Sequence, residues 1–289
     1  MGSNMINRVL KSKLLWTLIL IIVAYIATVS YTESKLQKRD FSEAYNSCHK
    51  IWSARGIYGN DGVEQNSLES LEQGFSAGAL GVEVDLHYDV EMKQFIISHD
   101  HPYRDAEGKL VYVQKNGKLL TLGEVFEKFS EKYYFWIDYK NLGKLSSQET
   151  SEAIARLLEI TQKNSLRERV YIEGTHPFKL AEYTQAGFKT IFDIQPLPQS
   201  SFTTKVVLGL YKAFYARGGF TVLGMHYGKL DNPTYGDKMK EILGDIPVFL
   251  YHVPDDRELL DRLIDDDQVR VMLVGRDINL NRFDRNKCK

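Results

Sequence analysis

The chain has 289 residues, of which 43% are hydrophobic and 26% charged, a globular composition that excludes a disordered or collagen-like protein. The net charge of -1 gives no basic face for nucleic acid, so we expect no nucleic-acid partner. Lys and Arg outnumber Asp and Glu only near the amino terminus, within residues 1–40.

An uncharged apolar run, residues 14–31, follows this basic segment. Its length is close to the roughly 20 residues that a helix needs to cross a bilayer. Arg8, Lys11 and Lys13 precede it and favour a cytoplasmic amino terminus, with the rest of the chain on the extracytoplasmic (periplasmic or extracellular) side. A cleaved signal peptide is the alternative, although the run is long for one and lacks a good cleavage site. A buried core helix is a further alternative, but the run shows no polar face.

The sequence thus predicts a cytoplasmic segment 1–13, a transmembrane helix 14–31, a polar linker 32–47 and a folded domain 48–289. In that domain, short apolar runs alternate with amphipathic stretches, which is typical of parallel strands joined by helices. The predicted strands are 51–55, 81–86, 134–139, 170–174, 190–194, 221–225, 248–252 and 269–274. The predicted helices are 67–77, 121–129, 148–163, 177–185, 202–216, 232–243 and 255–264.

Eight strands with seven intervening helices match the size and order of an α/β (β/α)8 TIM barrel. A doubly wound open sheet is the alternative, but it would want a glycine-rich phosphate turn after the first strand, which Gly56 and Gly59 do not make. An insertion follows strand two, with a strand-like run at 94–98 and a predicted hairpin around 106–108 and 115–117. Barrel enzymes keep their sites on this carboxyl-terminal face.

Ionisable residues collect at the carboxyl ends of these strands, six of the seven histidines among them. Any one histidine there is more readily explained as an ordinary loop residue, but the clustering favours a site. Residues two apart in a strand share one face, so Glu83 and Asp85 lie together, as do Asp138 and Lys140. Three carboxylates held close together call for a hard divalent cation, and oxygen ligands point to Mg²⁺ or Ca²⁺.

Arg55 and Lys140 would add positive charge beside this metal, and the combination describes a site for a phosphate ester. A structural ion-pair network that caps the barrel is the alternative.

The residues 51–103 resemble the opening of the glycerophosphodiester phosphodiesterase family. The family pattern runs His-Arg-Gly, Glu-Asn-Thr, Glu-x-Asp, His-Asp and Glu-x-Lys, in that order along the chain. The matching pairs here, in the same order and at similar spacing, are Arg55-Gly56, Asn66-Ser67, Glu83-Asp85, His99-Asp100 and Asp138-Lys140. Beyond about residue 141 the resemblance is limited to the alternation of strands and helices that is typical of a barrel.

The resemblance implies a phosphodiester hydrolase of the TIM-barrel type. Its metal ligands would be Glu83, Asp85 and Asp138, and its catalytic residues would include His99, with Arg55 and Lys140 also binding the substrate phosphate. The substrate would be a glycerophosphodiester or a lysophospholipid-like head group.

Three positions depart from the family pattern. Asp138 replaces a glutamate conservatively, and Gln65 stands where the family has glutamate, unless the adjacent Glu64 fills that place by a one-residue slip. Ala54 occupies the position of the first catalytic histidine, and losing one member of an acid/base pair commonly costs about 10²- to 10⁴-fold in rate.

Three explanations for Ala54 are open. It is an engineered change of histidine to alanine, a natural loss in a binding homologue, or the sign of a shifted register in which His49 takes the catalytic part. His49 is disfavoured because it lies five residues earlier, roughly 16 Å from the site at about 3.3 Å per residue.

Three functions follow from these alternatives. The first is a membrane-anchored, metal-dependent phosphodiester hydrolase, and the second is a non-catalytic binder of phosphate esters or lipid head groups. The third acts on lysolipid or sphingolipid by intramolecular transfer, with an apolar entrance that the helix 202–216 would line if it does not simply pack against the barrel.

Cys48 and Cys288 are the two cysteines, too few for a disulfide scaffold. The first and eighth strands of a barrel are neighbours, and the fourteen-residue tail 275–288 can reach roughly 46 Å, so the tail can return to Cys48. In an oxidising compartment the sequence allows a Cys48–Cys288 disulfide, with two unpaired cysteines as the alternative.

Overall fold

The structure is a computed structural model that describes residues 2–59, 62–113, 118–129, 131–162, 165–194 and 201–275, with the backbone alone for 2–12 and 201–202. Eight α-helices occur in these residues: α1 Gly2–Leu36, α2 Leu68–Ser76, α3 Leu122–Phe129, α4 Ser147–Ile160, α5 Pro177–Gln185, α6 Ser201–Gly218, α7 Asp237–Leu243 and α8 Arg257–Ile264. The strands are β1 Ile51–Ala54, β2 Gly81–Asp89, β3 Gln94–Ile97, β4 Tyr103–Arg104, β5 Leu110–Val111, β6 Tyr134–Tyr139, β7 Val170–Gly174, β8 Lys189–Ile194, β9 Val222–His226, β10 Gly228–Lys229, β11 Asn232–Pro233, β12 Val248–Val253 and β13 Val269–Val274.

Eight parallel strands close into a barrel. Their order is β1, β2, β6, β7, β8, β9, β12 and β13, and β13 pairs with β1 to complete the ring. Helices connect consecutive barrel strands, as parallel pairing requires. The predicted (β/α)8 TIM barrel is confirmed.

The insertion after β2 begins as a hairpin. β3 runs antiparallel to the outer half of β2, with Leu86 opposite Ile97. β4 and β5 then form a second short hairpin, which contains the predicted turn at 106–108. The other predicted turn residues, 115–117, lie outside the described residues. The insertion thus leaves the barrel at the end where the strands finish.

Large aromatic side chains fill the barrel interior. Trp52, Trp136, Tyr171 and Phe249 are buried, and their rings lie 4.9 to 6.0 Å apart in tilted or edge-to-face pairs. Gly81 makes room for this layer, because a Cβ atom there would lie 2.3 Å from the Trp52 ring. A second, larger apolar cluster lies between the strands and the surrounding helices. The barrel is therefore a packed core with a floor of aromatic rings.

Helix α1 continues beyond the predicted span and docks on α6. Its residues 13–24 are exposed, whereas Thr32 and Leu36 are buried. Glu33 forms a 2.5 Å ion pair with Lys212 of α6. Residues 32–36, expected in a polar linker, are thus helical and belong to the packing of the barrel.

The predicted helix 232–243 is shorter in the structure. A small hairpin, β10 and β11, occupies its first residues, and α7 begins only at Asp237. The amides of Thr234 and Tyr235 both donate to the Tyr227 carbonyl, over 2.6 and 3.2 Å. These two bonds hold the residues before α7 in the hairpin and explain the later start of the helix.

Candidate active site

The candidate site lies directly above the aromatic floor, at the carboxyl ends of the strands. Because side chains two apart share one face, five strands place a residue of the interior layer two positions before a residue that borders the site. The pairs are Trp52 with Ala54, Trp136 with Asp138, Tyr171 with Glu173, Ile191 with Asp193, and Phe249 with Tyr251. A cavity of about 720 Å³ opens over this second layer.

Three carboxylates meet at one side of the cavity. Glu83, Asp85 and Asp138 each place an oxygen within 4.8 Å of the other two. Asp85 lies opposite Asp138 in the pairing of β2 with β6, and Glu83 lies opposite Ala54 in the pairing of β2 with β1. Glu83 and Asp85 are buried. The structure therefore brings together the residues that the sequence predicts as metal ligands.

Two cationic side chains contact this cluster. Arg55 Nε lies 2.8 Å from Asp85 Oδ2, and Lys140 Nζ lies 2.6 Å from Asp85 Oδ1. Lys140 also pairs closely with Asp138. Both cations border the cavity and keep part of their surface exposed, so they can meet an anion that enters it.

Local backbone geometry places Arg55 and Asn66. Both residues have positive φ angles, 58° and 57°, which non-glycine residues adopt at a cost and which cluster at functional sites. The Arg55 amide donates to Glu83 Oε2 over 3.1 Å, and Asn66 Nδ2 donates to Asp85 Oδ2 over 2.8 Å. Gly56 follows with a φ of +79° and lies against the backbone of α2. The turn after β1 is thus built to hold the cluster in position.

Gln65 reaches the same cluster. Its Oε1 accepts from Arg55 Nη1 over 3.2 Å, whereas Glu64 borders a neighbouring hollow. The structure therefore gives Gln65, and not Glu64, the position beside the arginine.

The electrostatic environment shifts the pKa values of these three carboxyl groups in different directions. Burial, followed by the nearby Asp85 and Asp138 charges, raises the pKa of Glu83 well above its usual value. Burial also raises the pKa of Asp138. Burial opposes ionisation of Asp85 too, but Lys140 and Arg55 outweigh it and hold the pKa of Asp85 below its usual value. Two cations thus serve three carboxyl groups, and the anionic forms of Glu83 and Asp138 are disfavoured without a further positive charge.

His99 borders the cavity from the segment after β3. The Ser98 amide donates to the Asp85 carbonyl over 3.0 Å, which ties this segment to the cluster. The His99 side chain is 40% exposed, and its Nδ1 lies 3.1 Å from Asp100 Oδ1. Ala54 faces the same cavity from β1. His49 lies before β1, at the amino end of the barrel, and contacts Ser47 and not the site.

Further polar side chains border the cavity, among them Glu173, Asp193, Tyr251 and His252. The sequence did not identify these four as site residues. Glu173 accepts a short hydrogen bond from Trp136 Nε1, and burial raises its pKa well above its usual value. Burial likewise raises the pKa of Asp193 to about 7. The two-residue offset from a buried apolar strand position is the sequence signal that finds Asp193 and Tyr251.

The donor set fits a hard divalent cation. The three clustered groups offer only carboxylate oxygens, which Mg²⁺ and Ca²⁺ prefer. With Glu173 and Asp193, five carboxyl groups border or underlie a cavity that has Arg55 and Lys140 as its nearest positive charges. This excess of acidic groups is what a bound divalent cation would balance.

A closed (β/α)8 barrel, with an acidic cluster and two cations at the carboxyl ends of its strands, defines the architecture and the site. Neither family models nor curated protein sequences match this chain. Solved structures do match it. A glycerophosphodiester phosphodiesterase from Parabacteroides distasonis is 21% identical over 81% of this chain and 94% of that chain, with a TM-score of 0.57.

A glycerophosphodiester phosphodiesterase from Agrobacterium tumefaciens is 12% identical over 80% of this chain and 97% of that chain, with a TM-score of 0.53. The glycerophosphoryl diester phosphodiesterase domain of a Mycobacterium tuberculosis protein is 9% identical over 81% of this chain and 97% of that chain, with a TM-score of 0.51. This chain therefore has the fold that the sequence resemblance implies.

Proposed function

We propose that the chain is a membrane-anchored, metal-dependent phosphodiester hydrolase that acts on glycerophosphodiesters or lysophospholipid-like head groups. The cluster of Glu83, Asp85 and Asp138, flanked by Arg55 and Lys140, carries this proposal. A cation and two basic side chains beside an open cavity are the groups that bind and polarise a phosphodiester. The fold shared with glycerophosphodiester phosphodiesterases adds support.

Each residue of the cluster has a part in the proposed reaction. Glu83, Asp85 and Asp138 would hold Mg²⁺ or Ca²⁺, which supplies a Lewis acid for a phosphoryl oxygen. Arg55 and Lys140 would bind the other phosphate oxygens and neutralise the charge that develops on them. His99 would give a proton to the leaving alkoxide as its bond to phosphorus breaks and the bond to the attacking hydroxyl oxygen forms. The proton of that hydroxyl would pass to water in the cavity, because Ala54 cannot accept it. The products are an alcohol and a phosphomonoester or cyclic phosphate.

Ala54 favours one second candidate function. With a methyl group in place of the first histidine, no imidazole at this position can take the proton of the attacking hydroxyl. A chain with this change can keep the cation and phosphate contacts and serve as a non-catalytic binder of phosphate esters or lipid head groups.

Helix α1 would be the membrane anchor. Its segment Lys13–Leu36 is long and apolar enough to cross a bilayer, with a mean hydropathy of 2.2. The basic residues before it favour a cytoplasmic amino terminus and an extracytoplasmic barrel. On that side of the membrane the proposed Cys48–Cys288 disulfide would be chemically reasonable. Cys288 lies outside the described residues.

Restoring the missing histidine tests the enzymatic proposal. We expect Ala54→His to raise the rate of Mg²⁺- or Ca²⁺-dependent hydrolysis of glycerophosphocholine or lysophosphatidylcholine by about 10²- to 10⁴-fold over the unchanged chain. If the variant binds the metal but hydrolyses neither compound, the non-catalytic alternative is favoured.

A further inference from the structure

The contacts between α1 and α6 show that the two helices are parallel. Near the start of the contact, Tyr25 Oη donates to the Val206 carbonyl over 3.1 Å. Near its end, Lys35 Nζ donates to the Ala216 carbonyl over 3.0 Å. Both partners advance together along their helices, so α1 points in the same direction as α6.

This direction places the apolar half of α1 on the site side of the barrel. In a parallel barrel, α6 must run from the carboxyl end of β8 to the amino end of β9. The amino-terminal half of α1 therefore projects past the carboxyl ends of the strands, where the cavity opens. The exposed apolar residues continue from Tyr25 back to Leu14, about 16 Å at a rise of 1.5 Å per residue.

The end of the apolar run lies near the level of the barrel mouth. The run ends at Tyr31, just after Val29, which packs against the middle of α6 at Gly209. Little more than one helical turn further along α6, the ring of Phe214 lies 6.0 Å from that of Phe178. Phe178 is in the first turn of α5, three residues after Thr175 at the edge of the cavity. A bilayer that ends near Tyr31 would thus end beside the cavity opening.

Exposed apolar side chains outside α1 and α6 also lie at the mouth end of the barrel. In the described residues, five large hydrophobic side chains of this kind are exposed, and all five follow carboxyl ends of barrel strands: Met92, Tyr103, Val113, Phe178 and Leu230. The described parts of the loops that enter the strands at the other end have none. Those loops expose charged residues, such as Lys132 and Asp245, without large apolar ones. The segments at the mouth expose charged residues too, such as Asp100 and Lys229, but beside the apolar ones. Apolar groups at a membrane surface are stabilised by the lipid, whereas charged groups favour water.

We propose that the mouth of the barrel faces the bilayer that α1 crosses, so that the site takes a phosphodiester head group of a lipid still held in that bilayer. The proposal rests on the membrane anchor proposed above and extends it to the substrate, since an opening turned toward the lipid surface gives a membrane lipid direct access. Phe178 and Leu230 would lie in the interfacial layer, and Lys132 would lie on the far side of the barrel, in water.

Photocrosslinking in vesicles tests this orientation. The photoreactive residue p-benzoylphenylalanine is placed singly at Trp16, Phe178, Leu230 or Lys132 in the full chain, which is reconstituted in phosphatidylcholine vesicles and irradiated. Mass spectrometry then detects lipid attached to the protein. We expect lipid adducts at positions 16, 178 and 230, and none above the unirradiated background at position 132, the matched exposed site at the opposite end of the barrel.

The outcomes separate the orientation from the anchor. Adducts at position 16 without adducts at 178 and 230, or with equal adducts at 132, would overturn the proposed orientation while leaving the anchor intact. A chain that does not float with the vesicles would contradict the anchor and the orientation together. Two positions on the mouth are used so that misfolding of one variant does not decide the result.

Discussion

His99, the proposed proton donor, borders the cavity and keeps 40% of its side chain exposed. His252 borders the same cavity and has a φ of +49°, a strained conformation that is common at functional sites. Burial, followed by His226, Arg55 and Lys140, lowers the pKa of His252 and favours its neutral form. By position and backbone strain, His99 and His252 are therefore both candidates for the proton carrier.

We expect His99→Ala, made in the Ala54→His background, to lower kcat for glycerophosphocholine hydrolysis by about 10²- to 10⁴-fold. His252→Ala in the same background is the control and should have a much smaller effect. Steady-state kinetics with saturating metal measures both variants. The reverse order of effects would make His252 the proton carrier.

Gly56 supports the site through its backbone. An added Cβ atom would lie 2.3 Å from the Ser70 carbonyl carbon, and the φ of +79° is unfavourable for other residues. We expect Gly56→Ala to lower the free energy of unfolding by about 2 to 5 kcal/mol, from the left-handed backbone and the clash together. Urea unfolding measures this change.

Gly62 is the matched control for this substitution. It has a similar φ of +76°, but an added Cβ atom would meet nothing within 4 Å. Gly62→Ala should therefore lower the free energy of unfolding only by the cost of the left-handed backbone, about 1 to 2 kcal/mol. Equal losses for the two variants would mean that α2 yields to the added methyl group.

Site residues can be predicted from the sequence where two charged residues interrupt an apolar strand. Glu83 and Asp85 stand out because two acidic residues in an apolar strand need a reason, and the structure brings them together with Asp138. The positive φ angles of Arg55 and Asn66 have no such signal, because they arise from the packing of the turn against α2 and β2. Asp193 was missed because it is a lone carboxyl group between isoleucine and phenylalanine neighbours.

At the scale of elements, α6 is joined to α1 by a buried charge. Lys212 is almost fully buried, pairs with Glu33 at 2.5 Å and donates to the Ile242 carbonyl over 2.7 Å. We expect Lys212→Met to lower the free energy of unfolding by about 1 to 3 kcal/mol, because the Ile242 carbonyl then has no donor. Hydrogen exchange should become faster in residues 25–36 of α1.

Lys205→Met is the control on the same helix, since Lys205 is exposed. Unfolding in detergent, with exchange followed by mass spectrometry, compares the two variants. Similar behaviour of the two would mean that α1 is held to the barrel by its apolar contacts alone.

Strands were predictable because each one is a short apolar run with polar residues at its end, and their observed bounds agree with the predicted ones to within a few residues. The extent of α1 was not predictable to the same degree. Residues 32–36 are polar or charged at four of five positions, and they stay helical because Thr32 and Leu36 pack on the barrel. Such tertiary contacts override the local pattern. The later start of α7 was not predictable either, because Thr234 and Tyr235 are held by the Tyr227 carbonyl, which lies outside the predicted helix.

For the whole molecule, the dominant feature is an excess of acidic groups at one end of the barrel. Glu83 is buried there and Glu173 is half-buried, and desolvation raises the pKa of both. A divalent cation that binds only the folded barrel stabilises it by mass action, by about 2.7 kcal/mol when its concentration is about 100 times Kd. We therefore expect Mg²⁺ or Ca²⁺ to raise Tm, and EDTA to reverse this, in differential scanning calorimetry. An unchanged Tm at millimolar metal would contradict this expectation.

Isothermal titration calorimetry with Mg²⁺ and with Ca²⁺ tests the metal centre most directly. The unchanged chain is compared with a Glu83→Gln, Asp85→Asn double variant and with a Glu69→Gln, Glu72→Gln control, which removes two exposed carboxylates of α2. We expect the unchanged chain and the control to bind one divalent cation with the same affinity, and the double variant at the cluster to show no binding heat. Undiminished metal affinity in that variant would contradict the proposed metal centre.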